Sequence, residues 1–112
     1  MDDFGAKVVG AALLASDNKC FYCLTPLDKN NLSFDHVKSK KMGGGDQRWN
    51  CKSACRTCNA RKGIMTAFEF FKNVMNKKPR CLALTSRKKD CKRSVAKGNR
   101  KFCVDHEKAK SR

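Results

Sequence analysis

Two Cys-x2-Cys pairs, Cys20/Cys23 and Cys55/Cys58, constrain this chain more than any other feature. Each pair offers two thiolates from one tight turn. Together they supply the four soft ligands of a closed tetrahedral zinc site. Thirty-one residues separate Cys23 from Cys55, more than in a compact zinc ribbon. The segment between the pairs is therefore expected to fold as a unit pinned at both ends. A zinc held this way is structural, because four thiolates leave no open position for substrate. Cys51 falls outside the pairing and reads as a buried small hydrophobe.

The need for such staples follows from size. With 112 residues and 8% aromatics, one domain with a small appendage is expected, and its apolar core is thin. Small domains of this kind lean on disulfides or metal. A secreted disulfide scaffold would open with a basic, then apolar, leader. The N-terminus instead reads MDDFGAKVVGAALLAS, acidic first and broken by glycine. No apolar run approaches the ~18 residues that a membrane span requires. The expectation is an intracellular protein in a reducing compartment, cytoplasm or nucleus, where patterned cysteines bind metal.

Charge points to a polyanionic partner. Lys and Arg number 26 against 10 Asp and Glu, a net +16, which favours nucleic acid ahead of a membrane surface. The excess is uneven. Residues 1–31 carry 3 basic and 4 acidic side chains, residues 32–76 carry 9 and 3, and residues 77–112 carry 14 and 3.

Along the chain, residues 2–16 predict a helix started by Asp2 and Asp3, with Val8, Val9, Ala12 and Leu13 on its inner side. Leu32–Val37 reads as a strand, and Trp49–Cys51 as a second short one. Gly43–Gly45 supply a flexible turn. A helix is expected from about Cys55–Asn59 to a Gly63 cap. Thr66-x2-Glu69 is a capping box that opens another helix, with Phe68, Phe71, Met75 and Ile64 as its apolar stripe. Pro79 ends that helix. It divides a unit over 1–78 from a basic tail over 79–112.

Between the cysteine pairs lies a denser pattern: Asp35, His36, Gly43, Gly44 and Asn50, then Cys55, Cys58, Asn59, Lys62 and Gly63. This arrangement resembles the HNH endonuclease family over about residues 19–63. The resemblance implies a small α+β fold built on a ββα-metal core, two strands and a helix around one divalent ion. It implies that His36 is the general base and that Asp35 and Asn59 hold Mg²⁺ or Mn²⁺. It also implies that Asn50 fixes the backbone that orients His36. The residue chemistry agrees. Phosphodiester hydrolysis needs a base near neutral pKa and a hard cation to offset charge at the phosphate. Asp and Asn oxygens suit Mg²⁺, while the thiolates suit zinc. Many family members carry proline where this chain has Ser39. The lysines around it, Lys38, Lys40 and Lys41, are placed to touch phosphate, as are Arg61 and Lys62.

The tail carries Cys81-x9-Cys91-x11-Cys103-x2-His106. It resembles small Cys3His zinc knuckles, so a second structural zinc is expected there. Arg87, Lys88, Lys89, Lys92, Arg93, Lys97, Arg100 and Lys101 would then face a phosphate backbone. Such contacts give affinity with little sequence choice.

The sequence thus leads to an expected zinc-stapled nuclease acting on double-stranded DNA, as a monomer or homodimer with no membrane association. A stand-alone nuclease of this kind fits a viral, phage or mobile-element setting. The competing expectation is a non-catalytic zinc protein that packages nucleic acid or regulates on it. Asp35, His36 and Asn59 separate the two, since a pure binder has no need of them.

Overall fold

The structure, a computed structural model, describes residues 5–38, 43, 45 and 48–106. Asp2, Asp3, Ser39, Lys40, Lys41 and Gly44 lie outside the described residues.

The centre is a two-stranded antiparallel sheet of β1, Leu32–His36, and β2, Cys51–Cys55. Its register pairs Leu32 with Cys55, Phe34 with Ser53 and His36 with Cys51 on one face. Ser33 pairs with Ala54 and Asp35 with Lys52 on the other. Residues directly opposite share a face, so this register decides what each helix meets. A two-stranded sheet is marginal alone and must be covered. Here β2 is buried along its whole length.

Helix α1, Ala6–Ala15, covers the first face. Its Val8, Val9 and Ala12 pack against Cys51 and Phe34. Ser16, just past its end, has its hydroxyl 2.5 Å from that of Ser53. Leu14 points outward and is 69% exposed. Cys51 is buried among α1 side chains, as expected of a small hydrophobe.

Helix α2, Arg56–Lys62, covers the second face and ends at Gly63, whose positive φ favours glycine. The Thr66–Glu69 capping box is present with both of its bonds. It opens α3, Ala67–Glu69, which continues as a π-helical turn over Phe70–Val74.

Two local expectations are corrected. Trp49 belongs to a 3-10 turn over Arg48–Asn50, and β2 starts only at Cys51. The inward residues after Thr66 are Ala67, Phe70 and Phe71, while Ile64 is 58% exposed and Phe68 half-buried. The capping box sets the helix phase, and the wider π turn places two consecutive phenylalanines inside. Both reach Tyr22, with ring centroids 5.2 and 5.3 Å away.

The chain beyond Pro79 packs onto this core. Arg80 donates to the carbonyl of Phe21 at 2.6 Å and lies 4.3 Å over its ring. Asp90 N–H donates to the carbonyl of Ala15 at 3.0 Å. Lys52, fully buried, donates to Asp90 at 3.0 Å. Burial lowers the pKa of Lys52, and the Asp90 carboxylate opposes that fall. Removing one partner of such a pair strands a buried charge at a cost of about 3 kcal/mol. Asp90→Ala is therefore expected to lower the denaturant midpoint strongly, whereas Lys89→Ala, at an exposed pair with Asp17, shifts it far less. Urea unfolding followed by circular dichroism reads both.

Candidate metal centres and active site

The four-cysteine cluster sits where knuckle, strand and helix meet. The first knuckle turns at Leu24, whose φ is positive and whose N–H donates to the Cys20 carbonyl at 3.0 Å. Cys23 N–H points at Cys20 Sγ at 3.5 Å. Cys55 ends β2 and is also the N-cap of α2, its Sγ accepting from Cys58 N–H at 3.4 Å. The ligand atoms of Cys20, Cys23, Cys55 and Cys58 all lie within 4.8 Å of one another. Cys23 and Cys55 Sγ are 3.8 Å apart. Tetrahedral zinc with Zn–S bonds of about 2.3 Å places its sulfurs about 3.8 Å apart, so this cluster can hold zinc. Burial pushes the thiols of Cys20 and Cys58 up. Burial also acts upward on Cys23, but contacts with Thr25 and the neighbouring sulfurs outweigh it and bring that thiol down to about 7.

The second cluster is held by short bridges between Arg80 and Ser94 and between Leu84 and Asp90. Cys91 and Cys103 Sγ are 4.0 Å apart. His106 Nδ1 lies 3.3 Å from both Cys81 and Cys103 Sγ. The ligand atoms of Cys81, Cys91, Cys103 and His106 again fall within 4.8 Å of one another. Three sulfurs and one imidazole nitrogen form a closed structural set. Burial pushes Cys81 up to about 12. All eight cysteines are free of disulfides.

Asp35, Asn50 and Asn59 are each held by specific contacts. Asn50 is fully buried and staples the loop after β1. Its Oδ1 accepts from Lys38 N–H at 2.8 Å, and its Nδ2 donates to the carbonyls of Lys38 at 3.1 Å and Gly45 at 2.7 Å. The backbone carbonyl of Asn50 accepts from Val37 N–H at 3.0 Å. Both residues just past His36 are thus fixed by one asparagine.

Asp35 is 4% exposed and lies on the α2 face of β1. Its Oδ2 accepts from the Tyr22 hydroxyl at 2.5 Å, and its Oδ1 from Lys62 Nζ at 3.2 Å. Lys62 also donates to the His36 carbonyl at 2.8 Å. Asn59, one turn earlier on α2, donates from Nδ2 to Ser33 Oγ at 3.0 Å. Asn59 and Lys62 lie three apart on one helix face, and Ser33 and Asp35 two apart on one strand face. The two pairs zip helix to strand. Burial raises the Asp35 pKa and lowers that of Lys62, while their mutual attraction opposes both shifts. Burial, then the Asp35 charge, carries the Tyr22 hydroxyl well above its ordinary value, consistent with its role as donor. His36 is half-buried at the end of β1, and strand alternation puts it on the opposite face, beside Phe34 and opposite Cys51.

Lys62 needs correction as a phosphate contact. Its side chain is buried and its ammonium faces Asp35, so it is an internal counter-charge. Lys38 is half-buried and Arg61 exposed. In the tail, Lys89 pairs with Asp17 at 2.6 Å and Arg93 with Asp105. Arg87, Lys88, Lys92 and Lys97 are exposed. Arg100 lies over Phe68 and Lys101 over Trp49. Tyr22, Lys52, Arg80 and Asp90 carry no spacing signal as partners, because each is paired across the fold rather than along it.

A two-strand sheet joined to a helix through a four-cysteine cluster that can hold zinc defines a ββα unit. Residues 20–75 match the HNH endonuclease family, half of the chain, and the protein belongs to that family. No curated protein sequence matches the chain. Among the described residues no helix is long and apolar enough to cross a membrane.

Native mass spectrometry is expected to count two zinc ions per chain, and Cys81→Ser to remove one. A thiol whose pKa lies above neutrality must lose its proton to bind metal, so zinc uptake strengthens as pH rises and weakens as it falls. Competition with a chromophoric chelator on either side of neutrality measures that slope.

Proposed function

We propose that the protein is a metal-dependent endonuclease that hydrolyses phosphodiester bonds of DNA. The observation that carries this reading is the family match over residues 20–75, together with Asp35–His36 at the end of β1. His36 acts as general base, taking the proton from the attacking water. Asp35 and Asn59 would hold Mg²⁺ or Mn²⁺, a hard ion that suits a carboxylate and an amide oxygen. When bound, that ion offsets charge at the phosphate and the departing 3′ oxygen, giving 5′-phosphate and 3′-hydroxyl ends. Asn50 is a positioning residue, holding the backbone on either side of Lys38. The Lys62 ammonium opposes the upward push of burial on the Asp35 carboxyl and must withdraw from Oδ1 for a divalent ion to take its place. Residues 1–78 form the nuclease unit. Residues 79–112 form a basic zinc module whose exposed cations contact the phosphate backbone.

A second reading, a non-catalytic binder of nucleic acid, is favoured by two features. Strand alternation puts His36 on the face of β1 opposite Asp35 and Asn59. Both oxygens of Asp35 already have partners in Tyr22 and Lys62.

Plasmid nicking in Mg²⁺ or Mn²⁺ separates the two readings. The wild type is expected to nick, and His36→Ala to lose at least about a hundredfold in rate, with DNA affinity retained. Binding by both proteins with nicking by neither leaves the binder. Lys62→Met, which strands Asp35, should cost about 3 kcal/mol of stability, read by urea unfolding.

A further inference from the structure

Two clefts outside the proposed chemistry share a wall. The larger, about 710 Å³, runs between the helix after Thr66 and the tail, with Lys72, Lys77, Lys78 and Lys97 among its lining residues. The smaller, about 190 Å³, contains Val37, Lys38, Trp49 and Lys101. Phe68 and Arg100 line both. The smaller cleft therefore starts at the two residues after His36, and the larger one continues from it into the tail module.

Charge and ring placement distinguish this path from the other basic surfaces. None of the described residues lining either cleft is acidic. The cleft around Arg80 and Lys89, by contrast, includes the carboxylates of Asp17 and Asp90. Along the path two half-buried rings lie beside cations. Lys72 Nζ is 5.4 Å and the Arg100 guanidinium 5.2 Å from the Phe68 centroid. Lys101 Nζ is 5.0 Å from the Trp49 centroid. Trp49 is steadied by Phe102, 5.9 Å away edge to face.

The loop that brings Arg100 and Lys101 here is built, not incidental. Gly98 turns with a positive φ, and Asn99 Oδ1 accepts from the N–H groups of Lys101 and Phe102. The loop lies between Cys91 and Cys103, so the second metal cluster fixes one wall of the path.

We propose that these clefts form one track for an unpaired nucleic-acid strand, with bases stacking on Trp49 and Phe68 while the flanking cations follow the phosphates. Rings recessed in a cleft cannot meet the bases of an intact duplex, whose faces are already stacked. An unpaired strand offers those faces, and stacking is indifferent to base identity. Arg100 can leave the ring for a phosphate or stack on the next base. The inference deepens the nuclease reading and rests on it for one point, that the track begins beside the reacting phosphate. The favoured substrate is then DNA in which a duplex opens into an unpaired strand.

The test uses the full chain with zinc bound and His36→Ala, so that nothing is cut. Labelled oligothymidine, oligouridine and a blunt DNA duplex of the same length are titrated by anisotropy. Trp49, the chain's one tryptophan, reports stacking directly. Single strands are expected to quench Trp49. Phe68→Ala is expected to weaken single-strand binding about tenfold while leaving duplex binding unchanged. Phe68→Leu keeps the apolar volume without the ring face, and is expected to follow Phe68→Ala if the alanine variant loses zinc or fold. Oligothymidine bound ahead of oligouridine marks a DNA strand, and the reverse marks RNA; either supports the track. Equal effects of both Phe68 variants on strand and duplex, or none on either, overturn it. Wild-type nicking with a failed track leaves the nuclease reading intact. A working track with no nicking leaves the track and removes the nuclease.

Discussion

Everything in this fold that concerns function hangs on Cys55. It is the last residue of β2, the N-cap of α2 and a member of the four-cysteine cluster. One side chain thus fixes where the strand stops, where the helix starts and how both meet the knuckle at Cys20 and Cys23. Cys58 donates its N–H to Cys55 Sγ, and Asn59 follows directly. The phase of α2 is locked at its first turn, which places Asn59 opposite Ser33 and Lys62 opposite Asp35. A seven-residue helix has too few internal bonds to hold its own position. The four-cysteine cluster at its start supplies that position from outside.

The thin apolar core is supplemented by charge. Two cations, Lys52 and Lys62, are drawn into the interior of a protein already carrying net +16, and a third, Arg80, is half-buried. Each has a local partner: Asp90, Asp35, and the Phe21 carbonyl and ring. These groups add little net stability compared with apolar replacements, but once buried they cannot be left unpaired. Lys52–Asp90 joins the central sheet to the tail, and Arg80 joins the tail to the first knuckle. The Cys3His module is therefore packed against the core by polar links, each of which fails if the other side shifts.

The acidic residues explain why so much positive charge remains free. Of the carboxylates seen here, Asp35 and Asp90 are buried with lysines, Asp17 and Asp105 pair with tail cations, and Glu69 closes the Thr66 capping box. Few are left to neutralise the clefts around Phe68 and Trp49. A basic surface with no acidic side chain among its described lining residues, beside half-buried rings, is a poor arrangement for stability and a good one for a polyanion with flat bases.

The sequence by itself determined the two sets of candidate metal ligands and the order of most elements. Both ligand sets were legible in the sequence, because a ligand pair three apart on a turn is a local property. The β1 strand, the Gly63 stop and the Thr66–Glu69 box were legible for the same reason. Tertiary structure alone decided which face each residue takes. The π turn after Glu69 turned Phe70 inward and left Phe68 half-buried, against simple helical spacing. Lys62, one of 26 basic residues in the sequence, became an internal counter-charge only because α2 lies across β1. Its partner Asp35, a candidate ligand through the resemblance to the HNH family, emerged with Tyr22 and Lys62 already on its oxygens. Such pairings join residues far apart in the chain, through a register and a helix phase that spacing cannot encode.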